Sequence, residues 1–174
     1  GLQENRTVNE EIRSFLQNLN SRVQSMALIH KFLYESEELN KINLKKYIVP
    51  MLENLKSVYE DDVEFKLDLI DVTIPIGIAV PLALIINEVV SNSFKHAFCT
   101  TEECVVSIGF KKAGENYKLI ISDNGAGLPE DYDTEENMSL GMVLINSLVQ
   151  QISGELHVFS KNGAVVEVTF PKEE

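Results

Sequence analysis

The sequence predicts an α+β fold, a two-layer sandwich in which a mostly antiparallel sheet is covered on one face by helices. Three observations predict it. Apolar residues recur at intervals of three and four from Asn9 to Tyr34 and again from Leu44 to Tyr59, the stripe of amphipathic helices. Apolar and polar residues alternate at Val63, Phe65, Leu67 and Leu69, the period of a half-buried strand. Toward the C-terminus, short apolar runs are separated by turns rich in Gly and Asn, as in hairpins.

In chain order, Ile12, Phe15, Leu16, Leu19, Val23, Met26, Ile29 and Leu33 mark the first helix, with Thr7 and Glu10 in capping-box positions. Asn43 fits the N-cap of a second helix, inside which Pro50 is expected to kink or restart the chain. Val63 to Ile74 reads as a strand. Ile76 to Phe98 reads as a buried helix whose far end turns polar. Strands follow at Cys104 to Lys111 and Tyr117 to Ser122, joined at Ala113, Gly114 and Glu115. Asp123 to Asn137 is a glycine- and acid-rich loop, and Leu140 to Ile152 a further helix. Glu155 to Ser160 and Val165 to Phe170 close the chain as a hairpin turning at Lys161, Asn162 and Gly163.

A length of 174 residues suits one compact domain with an appended helical element. The formal charge is −12, from 15 Lys and Arg against 27 Asp and Glu, which argues against nucleic acid as a partner because counterion release needs a basic face. Cys99 and Cys104 stand in no metal-ligand spacing and read as reduced thiols. No segment is read as a membrane span and the N-terminus is too polar for a signal peptide, so the expected location is cytoplasmic. The chain opens at Gly1 and Leu2 without a methionine and reads as a fragment, whose full-length protein is free to be membrane-anchored.

Three stretches carry chemistry. Asn87, Glu88, Asn92, Lys95 and His96 fall one, three and four apart, so that Glu88, Asn92 and Lys95 or His96 project from one side of a helix that is otherwise apolar. Such groups are costly to bury unless they meet a ligand, although an exposed polar helix end has the same spacing. Asp123-Asn124-Gly125-Ala126-Gly127-Leu128-Pro129 follows a strand directly; its glycines let the backbone approach a ligand, and Asp123 offers an acceptor for an exocyclic amine. A plain Asn-Gly turn needs neither the second glycine nor the long polar loop that follows. Ser139-Leu140-Gly141-Met142 opens a helix, where free N–H groups and the helix dipole suit phosphate, without the Gly-Lys-Ser or Gly-Lys-Thr run of a P-loop.

Together these stretches resemble the Bergerat-type nucleotide site shared by histidine kinases, type II topoisomerases, MutL mismatch-repair proteins and anti-sigma serine kinases. The resemblance is closest to sensor histidine kinases. Asn87 to Phe98 looks like their N box, Asp123 to Pro129 like the first glycine box and Ser139 to Met142 like the second. Ala79-Val80-Pro81-Leu82 and the string Arg22 to Tyr34 are similar to the subfamily with dimerisation helices of the second type.

That resemblance implies a Bergerat fold over 61–174, preceded over 1–60 by a remnant of the helical dimerisation hairpin and a linker helix. It implies ATP and Mg²⁺ as cofactors. Asn92 would coordinate Mg²⁺ bridging the phosphates, and Glu88 would act as a polar or general-base residue near the γ-phosphate. Asp123 would accept from the adenine amine, Gly125 and Gly127 would line the base and the lid hinge, Leu140, Gly141 and Met142 would meet the phosphates, and Lys95 and His96 would contact phosphate or ribose. The implied partners are the hairpin of the same kinase in a homodimer and a response regulator receiver domain. One departure is Gly163-Ala164, where the family usually has Gly-Thr, so a hydroxyl that helps hold adenine through water is missing.

A histidine kinase needs a nucleophilic imidazole. The histidines are His30, His96 and His157, and none lies in the Glu-X-His-His-Arg-Val motif of the resembled subfamily. Leu2-Gln3 resembles the end of the helix that carries it, so the acceptor is expected upstream of Gly1. His30 is expected to be structural, packed beside the apolar stripe. The alternative reading is an anti-sigma type serine kinase or a nucleotide-binding regulatory module with the same pocket.

Overall fold

A computed structural model describes residues 12, 16, 19–28, 31, 40–59, 63–97, 103–128 and 139–172. Residues 19–28 form a helical segment, α1. The chain then runs β1 (Lys41–Asn43), α2 (Leu44–Tyr59), β2 (Val63–Leu69), β3 (Thr73–Pro75) and α3 (Ile76–Asn92), followed by a wide π turn, Ser93–Ala97. β4 (Cys104–Ala113), β5 (Asn116–Asp123), α4 (Leu140–Gln151), β6 (Glu155–Ser160) and β7 (Ala164–Pro171) complete it. The capping pair Thr7 and Glu10, His30 and Cys99 lie outside the described residues.

The main sheet has five strands in the order β2-β4-β5-β7-β6. Its hairpin neighbours and the β5–β7 pair are antiparallel. β2 and β4 run parallel because α3 crosses over between them, a connection that parallel strands require. Buried residues alternate along the central strands: Val106, Ile108 and Phe110 on β4, Leu119 and Ile121 on β5, Val168 and Phe170 on β7. Helices cover this face. The opposite face is polar, with Lys118 paired to Glu167 at 2.6 Å. Each fully buried Leu, Ile or Phe contributes about 1.5–3 kcal/mol relative to exposure, and Ile85, Ile86, Leu82 and Ile108 all belong to one cluster with Leu44, Ile48 and Met51 of α2.

The structure corrects four details. Asn43 does cap α2, its Oδ1 accepting from the Lys46 N–H at 3.0 Å, but the helix runs unbroken through Pro50. The carbonyl that Pro50 leaves without a partner belongs to Lys46, which is exposed to water. The strand expected to reach Ile74 ends at Leu69, and Thr73–Pro75 pairs instead with Lys41–Asn43 in a separate two-stranded sheet. The long helix is α-helical only to Asn92, after which it widens. Finally, Ile76–Ala97 is long and apolar enough to span a membrane, with a mean hydropathy of 1.5 over its most apolar stretch; 78% of that stretch is buried inside the fold, because this is the helix around which the core is built.

Candidate functional site

Asp123 ends β5 with its carboxylate turned inward, 9% exposed. Oδ1 accepts from the Gly125 and Ala164 N–H groups, both at 3.0 Å, and Oδ2 accepts from the Ser93 hydroxyl at 2.8 Å. These donors come from the loop after β5, from β7 and from the π turn, so one carboxylate ties three elements together. Oδ2 keeps lone-pair capacity, an oxygen having room for about two hydrogen bonds. The backbone is pressed close here. A Cβ added at Gly125 would stand 2.3 Å from the Ala97 Cβ, where the Ala126 N–H meets the Ala97 carbonyl at 3.1 Å. One added at Gly163, whose φ is +128°, would stand 2.0 Å from the Asp123 carbonyl oxygen. Asn124 fastens the strand end, bonding the Val105 N–H at 2.9 Å and the Glu103 carbonyl at 2.8 Å.

The N-terminus of α4 closes the other side. Ser139 caps it, its Oγ accepting from the Met142 N–H at 3.3 Å, which leaves neighbouring first-turn N–H groups open to an anion. Gly141 faces α3: a methyl in its place would lie 3.2 Å from Glu88 Oε2 and 3.7 Å from Asn92 Nδ2. The absent side chain therefore leaves a gap that Glu88, Asn92 and the helix start share.

Between these two sides is a cavity of about 410 Å³. Asn92, Ser93, His96, Asp123, Gly127 and Met142 border it, with Val89, Ile145, Val158 and Val166 forming an apolar wall. An apolar wall with an acceptor at its end suits a purine. Gly127 lines it with φ +77°. Among the described residues, Glu88, Lys95, Gly125, Leu140 and Gly141 stand around the cavity rather than on its wall. Burial, and then the neighbouring Lys95, hold the His96 pKa below its usual value, while Lys95 is lowered mainly by burial. Among the described residues no cluster of three or more His, Cys, Asp or Glu is placed to hold a metal. Were a hard divalent cation bound here, Asn92, with one neutral amide oxygen, is the residue that would hold it.

Ser21, Arg22 and Ser25 of α1 are site neighbours that sequence reasoning did not find. Asn87, 0% exposed, donates from Nδ2 to the Ser25 hydroxyl at 2.8 Å and the Ser21 carbonyl at 3.2 Å, and accepts from the Ser21 hydroxyl at 3.2 Å. The Arg22 guanidinium forks onto Glu88, Nε to Oε1 and Nη2 to Oε2, the latter at 2.8 Å. This pairing raises the Arg22 pKa against the opposing effect of its partial burial. Nothing local in the sequence links residues 66 positions apart. The contribution of Ser93 was equally hidden, although it follows Asn92 directly.

Comparison with known proteins agrees with this geometry. Residues 77–174 match the family model described as histidine kinase-, DNA gyrase B-, and HSP90-like ATPase, and residues 1–59 match one described as histidine kinase. The sensor histidine kinase PdtaS of Mycolicibacterium smegmatis is 30% identical over 181 residues, covering 98% of this chain and 35% of that protein. Blue-light-activated histidine kinase 2 of Erythrobacter litoralis is 32% identical over 102 residues, covering 58% of this chain and 30% of the relative. The chain thus spans about a third of the length of these relatives. Among solved structures, the histidine kinase domain of the Erythrobacter litoralis EL346 blue-light activated histidine kinase superposes with a TM-score of 0.80 at 24% identity, covering 89% of this chain and 75% of that one, a likeness of fold.

Proposed function

The chain belongs to the histidine kinase-, DNA gyrase B-, and HSP90-like ATPase family, and from that premise we propose that it is the ATP-binding catalytic part of a sensor histidine kinase. It binds ATP and transfers the γ-phosphoryl group to a histidine carried on a dimerisation hairpin. The observation that carries this reading is the cavity itself: Asp123 with spare acceptor capacity at one end, an apolar wall between, and Asn92 facing the open start of α4 at the other. Asp123 accepts from the adenine amine, the N–H groups around Gly141 and Met142 receive phosphate oxygens, and His96 with Lys95 faces ribose or phosphate. Asn92 would hold Mg²⁺, which when bound offsets the charge of the polyphosphate. Phosphoryl transfer is chiefly positioning and charge stabilisation, so a site of this kind needs a nucleophile brought to it.

The hairpin partner is supported by α1. Ile12, Leu16, Leu19, Val23 and Met26 are 38–63% exposed and spaced four and three apart, the seam of a helical bundle, while Ser21, Arg22 and Ser25 face the catalytic domain. In this reading the seam packs against the first hairpin helix and a second copy of the chain. The phosphoryl group then passes to a response regulator receiver domain on the cytoplasmic side.

The test is incubation with radiolabelled ATP, alone and with a histidine-bearing hairpin supplied in trans. Acid-labile, base-stable label is expected on the hairpin only. Absence of label on it, or label on this chain that His30→Gln removes, would overturn the proposal.

A further inference from the structure

Glu88 has almost no contact with water, its side chain being 4% exposed, and both carboxylate oxygens are held by Arg22, a residue of another element whose own side chain is 22% exposed. The adjoining residue Asn87 is held in the same way by Ser21 and Ser25. Tyr47 of α2 adds a further tie, its hydroxyl donating to the Ser25 carbonyl at 3.2 Å. One turn of α1 is therefore keyed by polar contacts to two consecutive residues of α3.

The position of this key along α3 decides what it does. Ser93 is the residue that bonds Asp123, so it marks the base end of the cavity. Glu88 lies five residues earlier, about 7.5 Å along the axis at 1.5 Å per residue, with Asn92 between. A nucleotide with its base at Asp123 and its phosphates at the start of α4 therefore points its terminal phosphate toward Glu88, whose Oε2 borders the gap at Gly141. A buried carboxylate there opposes a polyphosphate unless a cation offsets it. Lys95 also lies within electrostatic reach of Glu88, but Arg22 is the cation in contact with both oxygens of Glu88.

We propose that Arg22 is a positioning residue of the nucleotide site, supplied by the hairpin helix, which neutralises and orients Glu88 beside the terminal phosphate of ATP. Affinity for ATP, more than for ADP, then depends on α1 being docked against α3. The bidentate fork matters because a guanidinium satisfies both carboxylate oxygens in one geometry, which an ammonium does not. The inference rests on the ATP-binding reading given above.

The experiment is calorimetric titration of the full chain with ATP and with ADP, each with Mg²⁺, for wild type, Arg22→Gln, Arg22→Lys and Arg22→Gln combined with Glu88→Gln. In Arg22→Gln the Kd for ATP is expected to rise at least about fivefold, the low end of coupling between sites, while that for ADP holds within about twofold of wild type. Arg22→Lys, which keeps the charge without the fork, is expected to lie between. The double variant has no buried charge to compensate and is expected to bind ATP better than Arg22→Gln, which keeps the measurement decisive even if Arg22→Gln folds poorly. Equal losses for ATP and ADP would reduce Arg22 to a structural support, and unchanged or tighter ATP binding in Arg22→Gln would overturn the proposal outright. A wild-type chain that binds neither nucleotide would instead sink the functional reading on which it rests.

Discussion

Replacing the Asp123 carboxylate by an amide of the same shape tests the base assignment most directly. In Asp123→Asn the amide oxygen must stay where Oδ1 is, because the reverse orientation would set an NH₂ group against the Gly125 and Ala164 N–H donors at 3.0 Å. The amide NH₂ then takes the place of Oδ2 and faces Ser93, which can accept it by turning its own proton to the Val89 carbonyl, 3.3 Å away. All three contacts survive as neutral bonds. Each drops from roughly 1.5–3 to 0.5–1.5 kcal/mol, so the three together cost the fold about 3–4.5 kcal/mol, below the roughly 5–15 kcal/mol of an ordinary domain, and it persists in weakened form. The nucleotide loses affinity in a specific way. The adenine amine meets a donor where it had an acceptor, which costs about 1.5–3 kcal/mol, or ~10–150-fold in Kd. A 6-oxo purine gains what adenine loses. Titration with ATP and with ITP, on protein shown to be folded by its thermal melt, should show an ATP preference in wild type that collapses or inverts in the variant. An unchanged ATP:ITP ratio in folded Asp123→Asn would refute the claim that this carboxylate reads the base.

Gly125→Ala forces a Cβ to within 2.3 Å of the Ala97 side chain, so it should lower stability by about 2–3 kcal/mol, seen as a drop of roughly 5–10 °C in Tm. A Tm within 2 °C of wild type, on the order of 0.5 kcal/mol, would show that the loop does not need this approach. Gly141→Ala should leave the melt nearly unchanged, helix propensity offsetting a 3.2 Å contact with Glu88, yet raise the Kd for ATP by about tenfold or more by filling the gap; wild-type affinity would move the phosphates elsewhere. Gly77→Ala, in the first turn of α3 with nothing within 4 Å of the added Cβ, should stabilise by about 0.5–1 kcal/mol without changing nucleotide binding, and a lower Tm would contradict that. The His96 pKa is depressed below 6.5, so the unfolded chain binds that proton more readily. Stability from this group is present above pH 6.5 and is lost as pH falls from there toward the lowered value. Melts across pH 5.5–7.5, roughly a unit on either side of the free imidazole, should fall less steeply for His96→Gln; parallel curves would show that this shift is absent.

Much of the fold and part of the site follow from short-range pattern. Strand and helix periods, the Asn43 cap and both hairpin turns depend on residues within a few positions of each other, and among the described residues they appear within a residue or two of where the sequence implies, apart from the strand that stops at Leu69 and the helix that widens after Asn92. The same holds for the three stretches around Glu88 and Asn92, Asp123 and Gly141, because close backbone approach and an open helix start are written in local residue types. Where local rules conflicted, packing decided. Pro50 does not break α2, because the carbonyl it orphans belongs to the exposed Lys46 while Tyr47, Ile48, Met51 and Leu52 are locked in the core. Thr73–Pro75 leaves the main sheet because a distant strand, Lys41–Asn43, is there to pair with it.

What the sequence determined by itself is thus the local make-up of the site: a carboxylate at a strand end, an amide and a carboxylate one turn apart on an apolar helix, glycines for close approach, an open helix start. What only the tertiary structure decided is which of these groups answer to one another. Ser93 reaches Asp123 across 30 residues, and Arg22 reaches Glu88 across 66. Neither pairing has a period or a spacing in the sequence, because a contact that long is fixed by how helices and sheet pack around a shared core, and by the free energy of leaving a buried carboxylate without a donor.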